Sequence, residues 1–298
     1  MSAHTLPQVR GELRLDEPMA AHVSWRAGGR AALWFRPADV ADLQDFLRDY
    51  QGPILPVGLG SNLLIRDGGW PGAVISLYDT LDSLEIHADG RVRAEAGVHC
   101  ATLASRCSKA GIGGAVFMGG IPGTVGGALA MNAGAWGGET WERLQQISLL
   151  DAQGQLHSLP AAAFEVGYRQ VRAPVEGPLY LAAEWAFEPG CDAAELQQAV
   201  RQMLAERRAR QPVGQPSCGS VFRNPEGSHA AALIEAAGLK GLRQGGAEVS
   251  TKHANFILNR DQASAADIES LLLEVQAQVQ AHAGVRLHPE VRIVGEPQ

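Results

Sequence analysis

The sequence predicts an α+β protein built as more than one domain. Three observations carry this. Strand-length apolar runs separated by turn signals fill the first 190 residues, and long amphipathic helices follow from Asp192. Two glycine-rich segments also stand outside any strand–glycine turn–helix unit. At 298 residues, 46% of them hydrophobic, the chain can bury a substantial core and exceeds what one core usually supports.

In order along the chain, AALWFRP (31–37) reads as a strand, and ADVADLQDFLRDY (38–50) carries apolar positions at helical spacing. The stretch 53–77 holds two apolar strand candidates around a glycine turn. SLEIHADGRVRAEAG (83–97) reads as a hairpin, its Asp89-Gly90 pair suiting a tight primed turn. CATLASRCSKAG (100–111) is a short helix ending at Gly111, a natural left-handed cap. After the glycine stretch come a second hairpin over 145–159 and a strand over 179–189. Beyond Asp192 the sequence predicts helices over 192–211, over 228–241 with a Ser cap and Gly238 near its end, and over 264–284. Strand material lies within 248–260, and RLHPEVRIVG (286–295) supplies a final strand.

Composition excludes several classes. A net charge of −7 and a pI near 5.7, with no Lys/Arg block, argue against a nucleic-acid surface. No apolar run approaches the ~18 residues of a membrane span, and MSAHTLPQVRGELRLDEP has no apolar signal-peptide core. Cys100, Cys107, Cys191 and Cys218 form no CxxC pair and read as free thiols of a cytoplasmic protein. The nine histidines show no metal-ligand spacing, so no metal site is expected.

The glycine segments carry the functional signal. GGIPGTVGGALAMNAGAWGGE (119–139) holds eight glycines and one charged residue, and GLGSN (58–62) is a shorter counterpart. Glycine loses the most backbone freedom on folding, so such density needs a reason. Successive N–H groups in glycine-permitted conformations can converge on a phosphate. A Rossmann turn is weak here because SNLLIRDGG after Gly60 reads as strand, and no P-loop Lys-Ser/Thr follows either glycine segment. Tight turns and close packing are the competing explanation. The two segments together point to a large phosphate-bearing cofactor.

The stretches GLGSNLLI, GIPGTVGGALAMNAGAWGGE, GYR, CGSVFRNP, AAGLKG, HANFILN and HPEV follow one another from Gly58 to Val291. In this order the chain resembles the UDP-N-acetylenolpyruvoylglucosamine reductase (MurB) family, in its shorter, type II form, over about Trp25 to Val294. The resemblance implies a two-lobed FAD-binding domain of the para-cresol methylhydroxylase type and a C-terminal α/β substrate-binding domain. On that reading 1–75 and 76–190 form the FAD lobes and 191–298 the substrate domain, with the last strand able to return to the lobes. It implies non-covalent FAD, since no His or Cys lies within either glycine loop, with NADPH as co-substrate. The reaction implied is reduction of UDP-N-acetylglucosamine enolpyruvate to UDP-N-acetylmuramate in peptidoglycan precursor synthesis. No nucleic acid, membrane or obligate protein partner is expected.

Residue by residue, the family places the backbone of Gly58, Leu59, Gly60, Ser61 and Asn62 against the cofactor. Gly119, Gly120, Ile121, Pro122, Gly123, Thr124, Gly126 and Gly127 join them, with Asn132 continuing the wall and Arg292 near the flavin. A turn-forming Asn beside Gly134 is the other reading of Asn132. Ser220 matches the proton donor, Arg169 the residue that pins the substrate carboxylate, and Glu290 the acidic catalytic residue. A carboxylate facing a developing dianion would be repelled, so Glu290 is expected to be protonated and to donate a hydrogen bond. Without the family, Ser220 is a turn or cap residue and Arg169 a surface ion-pair partner. Tyr168, Asn224, Lys240 and His253 match nucleotide-sugar contacts. Lys240 suits a diphosphate but also suits a solvated position after a helix, and His253 suits a strand edge. Val171 and Arg223 depart from the family's usual Ser and Lys. A sugar or alcohol oxidase of the same fold, and a non-catalytic nucleotide-sugar-binding protein, are the alternatives.

Overall fold

The computed structural model describes residues 7–298; the first six, part of the N-terminal stretch read for a signal peptide, lie outside them. The chain divides into two units that alternate along the sequence. Unit 1 takes the segment up to Arg14, Trp34–Gly58 and Ala73–Ala205; unit 2 takes Leu15–Leu33, Leu59–Gly72 and Glu206–Gln298. No helix among the described residues is long and apolar enough to cross a membrane.

In unit 1, helix α1 (Val40–Asp49) starts where the Asp39 carboxylate accepts from the Asp42 amide at 2.9 Å. It buries Leu43, Phe46 and Leu47, and Phe46 stacks on Phe35 with centroids 4.4 Å apart. Strand Ile54–Val57 runs parallel to Trp70–Ser76, with Ile54 opposite Ala73. The stretch 53–77 therefore holds three strands rather than two, because Leu63–Ile65 pairs elsewhere. A five-stranded antiparallel sheet follows the order Leu156–Pro160, Leu144–Leu150, Leu179–Ala186, Arg91–Glu95, Leu84–Ile86. The 84–95 hairpin closes through a three-residue loop, not a two-residue primed turn. His87 and Arg91 stay bonded at 2.9 Å, and Gly90 alone takes the left-handed conformation (φ +89°). Helices α2 (Cys100–Lys109) and α3 (Val125–Met131) bury Leu103, Val125 and Leu129 in the same core as Trp185. After α2 the chain turns at Gly111, φ +69°. Helix α4 (Ala193–Arg210) follows.

In unit 2, α5 (Ala230–Ala236) and α6 (Ala265–Ala283) accompany the antiparallel strands Arg243–Gln244, Ala247–Val249 and Ile257–Asn259. The predicted Ser cap of α5 is absent: His229 is the cap residue, and the first amide, Ala230, donates to Asn224 Oδ1 at 3.1 Å. Helix α6 has a full capping box between Ser264 and Asp267 and ends at left-handed Gly284. The Asp67 carboxylate also accepts from the amides of Ala265 and Ala266 at 2.9 and 2.8 Å, set at the helix's positive end. Strand Arg292–Val294 returns to pair in parallel with Leu63–Ile65. That pairing lays the last strand beside the end of the GLGSN loop.

Candidate functional site

In unit 2, the loop over residues 59–62 has its carbonyls tied down. Gly60 O accepts from the Ser24 amide at 3.0 Å and from Cys218 Sγ at 3.3 Å; Leu59 O accepts from Ser24 Oγ, and Asn62 O from the Arg292 amide at 3.1 Å. Burial pushes the Cys218 thiol up to about 12, so it stays a neutral donor. With the carbonyls held, the amides of Leu59, Gly60 and Ser61 have no hydrogen-bond acceptor among the described residues. Gly60 makes this geometry possible. Its φ is +58°, and a Cβ there would stand 2.2 Å from His22 O and 2.6 Å from Val23 Cα.

Ser220 and Glu290 come together in the same unit. The Glu290 amide donates to Val221 O at 2.8 Å, the Arg223 amide to His288 O at 2.9 Å, and Phe222 bridges Pro289 antiparallel. Both side chains are half-buried. Asn62 Nδ2 donates to Glu290 O at 3.2 Å, joining the glycine loop to the same pair of segments. Behind them, buried Asn255 exchanges hydrogen bonds with the backbone of Phe222 at 3.0 and 2.8 Å. Arg292 has an exposed side chain.

Lys240 and His253 are neighbours electrostatically. Burial, and then the Lys240 charge, hold the His253 imidazole below its ordinary pKa, so it is neutral at physiological pH. Its Nδ1 is buried without a hydrogen-bond partner, as is Arg223 Nε. Lys240 Nζ donates to Glu235 at 2.6 Å. Asn224 is less open than its sequence context implies, since its Oδ1 already holds α5.

The second glycine segment lies in unit 1. Gly58 packs on Thr124: a Cβ at 58 would lie 2.4 Å from Thr124 Oγ1. The segment offers fewer donors than its glycine content predicts. Ile121, Gly123 and Gly126 donate to Met118 O, Ile121 O and Ala96 O, and Pro122 has no N–H. Val125 donates to Val98 O. At the positive end of α3 this leaves the amides of Thr124 and Gly127 without acceptors among the described residues. Gly119 and Gly120 are buried for packing reasons, with a Cβ meeting Met203 at 2.8 Å and the Trp136 ring at 2.5 Å respectively.

Asn132 faces inward. It is left-handed (φ +42°), 1% exposed, and its amide reaches Glu139 Oε2 at 2.7 Å and Gly167 O at 3.3 Å while Oδ1 accepts from the Trp141 amide. Its side-chain hydrogen bonds are therefore made to the protein. Tyr168 and Arg169 form the two-residue turn of a hairpin in which Gly167 opposes Gln170. Arg169 is left-handed (φ +56°), a conformation costing a non-glycine residue ~1–2 kcal/mol. Its Nη1 and Nη2 donate to Asn132 O and Gly134 O, both at 3.2 Å, and its guanidinium lies 5.0 Å from the exposed Tyr168 ring. The sequence reading missed Cys218, which reaches Gly60 O 158 residues away, and Glu139, which binds Asn132 seven residues before it; only their places inside the quoted motifs marked them.

Each unit, taken by itself, presents bare backbone amides of the kind that meet phosphate oxygens: Leu59, Gly60 and Ser61 in unit 2, and Thr124 and Gly127 in unit 1. A family model of the FAD binding domain matches residues 31–160. Another, the C-terminal domain of UDP-N-acetylenolpyruvoylglucosamine reductase, matches residues 211–294. The chain is 53% identical over 290 residues to the UDP-N-acetylenolpyruvoylglucosamine reductase of Alkalilimnicola ehrlichii, covering 97% of this chain and 96% of that one. It superimposes on the crystal structure of the Thermus caldophilus enzyme with a TM-score of 0.81 at 30% identity, over 96% of this chain and 99% of that chain. The 6-hydroxy-D-nicotine oxidase of Arthrobacter nicotinovorans matches at a TM-score of 0.60 and 16% identity, over 95% of this chain and 88% of that chain, a likeness of fold alone.

Proposed function

The chain belongs to the UDP-N-acetylenolpyruvoylglucosamine reductase family, and from that premise we propose how its own residues divide the work. It is an FAD-dependent oxidoreductase that reduces UDP-N-acetylglucosamine enolpyruvate to UDP-N-acetylmuramate with NADPH, a step of peptidoglycan precursor synthesis. When bound, FAD would supply the chemistry of hydride transfer, from NADPH to the substrate's terminal methylene carbon. In unit 2 the amides of Leu59, Gly60 and Ser61, with Arg292 beside them, would hold the cofactor; in unit 1 the open amides are those of Thr124 and Gly127. Asn132 supports the loop rather than touching the cofactor.

Negative charge then develops at the carbon next to the carboxylate. Arg169 pins that carboxylate and offsets its growing charge. The Ser220 hydroxyl gives its proton to the carbon, a donation that depends on fixed geometry because serine is a weak acid. Glu290, protonated, donates a hydrogen bond toward the same centre. Lys240 and neutral His253 meet the nucleotide diphosphate, with Tyr168 and Asn224 on the sugar-nucleotide. A cytoplasmic setting, where nucleotide sugars and NADPH are found, is the localisation this reading supports.

One observation supports this division most strongly. The glycine loop, the Ser220 segment and the Glu290 segment are bound to each other by the Cys218–Gly60, Asn62–Glu290 and Glu290–Val221 hydrogen bonds. The test follows the flavin spectrum anaerobically through both half-reactions. Ser220→Ala should let NADPH bleach the flavin at an unchanged rate while reoxidation by the enolpyruvyl substrate slows ~10²-fold or more. Equal slowing of both halves removes Ser220 from the role. Glu290→Gln should retain more of the second half-reaction than Glu290→Ala; equal losses would remove the hydrogen-bonding role.

A further inference from the structure

We infer that Glu139 is a positioning residue for Arg169, acting through Asn132, and that its purpose is recognition of the substrate carboxylate. The inference rests on the reading of Arg169 given above. Arg169 projects from a short hairpin, Glu165–Gly167 with Gln170–Arg172, whose strand residues are exposed or half-buried and which forms a sheet of its own. An isolated two-stranded hairpin is marginally ordered in water. Something outside it must therefore fix where the guanidinium lies.

Asn132 does this at two points. Its carbonyl accepts from Arg169 Nη1, and its side-chain amide donates to Gly167 O, two residues before the arginine on the same hairpin. One residue thus holds both the head of Arg169 and the backbone that carries it. Asn132 can do so only while its own conformation, left-handed at the end of α3, is maintained. The short strand Gly138–Glu139 supplies the restraint. Glu139 is registered against Gly134 across a turn in which Trp136 and Gly137 both have positive φ, and its Oε2 accepts from Asn132 Nδ2 at 2.7 Å. A carboxylate acceptor makes this a charge-assisted bond, stronger than the 3.3 Å bond to Gly167. Gly134 completes the clamp. Its carbonyl takes Arg169 Nη2, and a Cβ there would stand 3.1 Å from Glu139 Cγ and 3.4 Å from Arg169 Nη1. The two charged side chains therefore converge on one glycine with no room for a methyl group.

The experiment compares binding of two ligands to the FAD-loaded protein by titration calorimetry: UDP-N-acetylmuramate, which carries the carboxylate, and UDP-N-acetylglucosamine, which lacks it. Glu139→Ala should weaken the first by about 10–100-fold, the scale of a displaced positioning contact, and leave the second within about twofold. Glu139→Gln keeps an acceptor for Asn132 and should recover most of the carboxylate-dependent affinity. Should Glu139→Ala not fold, Glu139→Asp, too short to reach Asn132, takes its place with the same expected pattern. Equal weakening of both ligands, an unchanged preference, or a glutamine variant as poor as the truncated one would each overturn the proposal. Arg169→Ala is measured alongside. If it too leaves the preference for the carboxylate ligand intact, the reading of Arg169 itself fails. If it abolishes the preference and Glu139→Ala does not, only the positioning role fails.

Discussion

Gly127 gives a prediction in which two measured quantities must move in opposite directions. It lies in the first turn of α3, exposed, at a negative φ, and the nearest protein atom to an added Cβ is Thr124 Oγ1 at 3.9 Å. Nothing in the polypeptide requires glycine there. Alanine favours an exposed helix over glycine by ~0.8–1.0 kcal/mol, and the first turn captures part of that, so Gly127→Ala should stabilise the flavin-free protein by ~0.5–1 kcal/mol. The melting temperature of that form should rise by about 2 °C. The same methyl group occupies space over the bare Gly127 amide. Crowding of this kind costs ~1–3 kcal/mol, so FAD affinity should fall by about 5- to 150-fold. Thermal melts of the apoprotein and a fluorescence titration with FAD measure both. A variant that binds FAD as tightly as the parent protein would show that the cofactor does not approach this amide. Gly126→Ala is the control: its Cβ would stand 3.0 Å from Ala96 Cβ, so the flavin-free protein should be less stable.

Gly60→Ala should lower both quantities, since φ +58° and a 2.2 Å approach to His22 O force the loop to move. A loss of ~2 kcal/mol or more in urea unfolding, with flavin absent from the purified protein, is expected. At Arg169, alanine inherits the cost of the left-handed conformation and glycine does not. Arg169→Gly should therefore be ~1 kcal/mol more stable than Arg169→Ala in denaturant, with substrate reduction lost in both. Asp42 is 2% exposed; burial alone would raise its pKa, but the amides of Arg10, Ala38 and Gly11 outweigh this and hold it below the ordinary carboxylate value. Its contribution is present above the unfolded pKa of ~3.9 and lost as pH falls through the depressed folded value. Asp42→Asn should cost ~2 kcal/mol at pH 7, with the gap to the parent protein narrowing below about pH 4 in urea titrations.

Elements whose signals lie within a few residues were legible along the chain. Helix α6 runs from Ala265 to Ala283 between Ser264 and Gly284, as its periodicity and its two punctuating residues predict. The 84–95 hairpin formed, but its turn differed, because a left-handed residue at Gly90 alone selects a three-residue loop. For α5 the cap came from Asn224, six residues before the first helical amide, rather than from Ser228. The family motifs named the candidate site residues; they did not say which groups within those motifs are available.

That distinction marks the boundary between the two sources. Residue types and local spacing determined the strands, the helices and the presence of two glycine loops, because helix periodicity, caps and turn conformations are properties of neighbouring residues. Which amides remain open was decided only when distant segments met: Ala96 takes up Gly126, Cys218 and Ser24 hold Gly60 O, and Arg292 holds Asn62 O. The same is true of Arg169, whose orientation depends on Asn132 and Glu139 more than thirty and twenty-five residues before it. A backbone N–H is present at every residue but proline, so its availability depends on whether folding brings an acceptor to it.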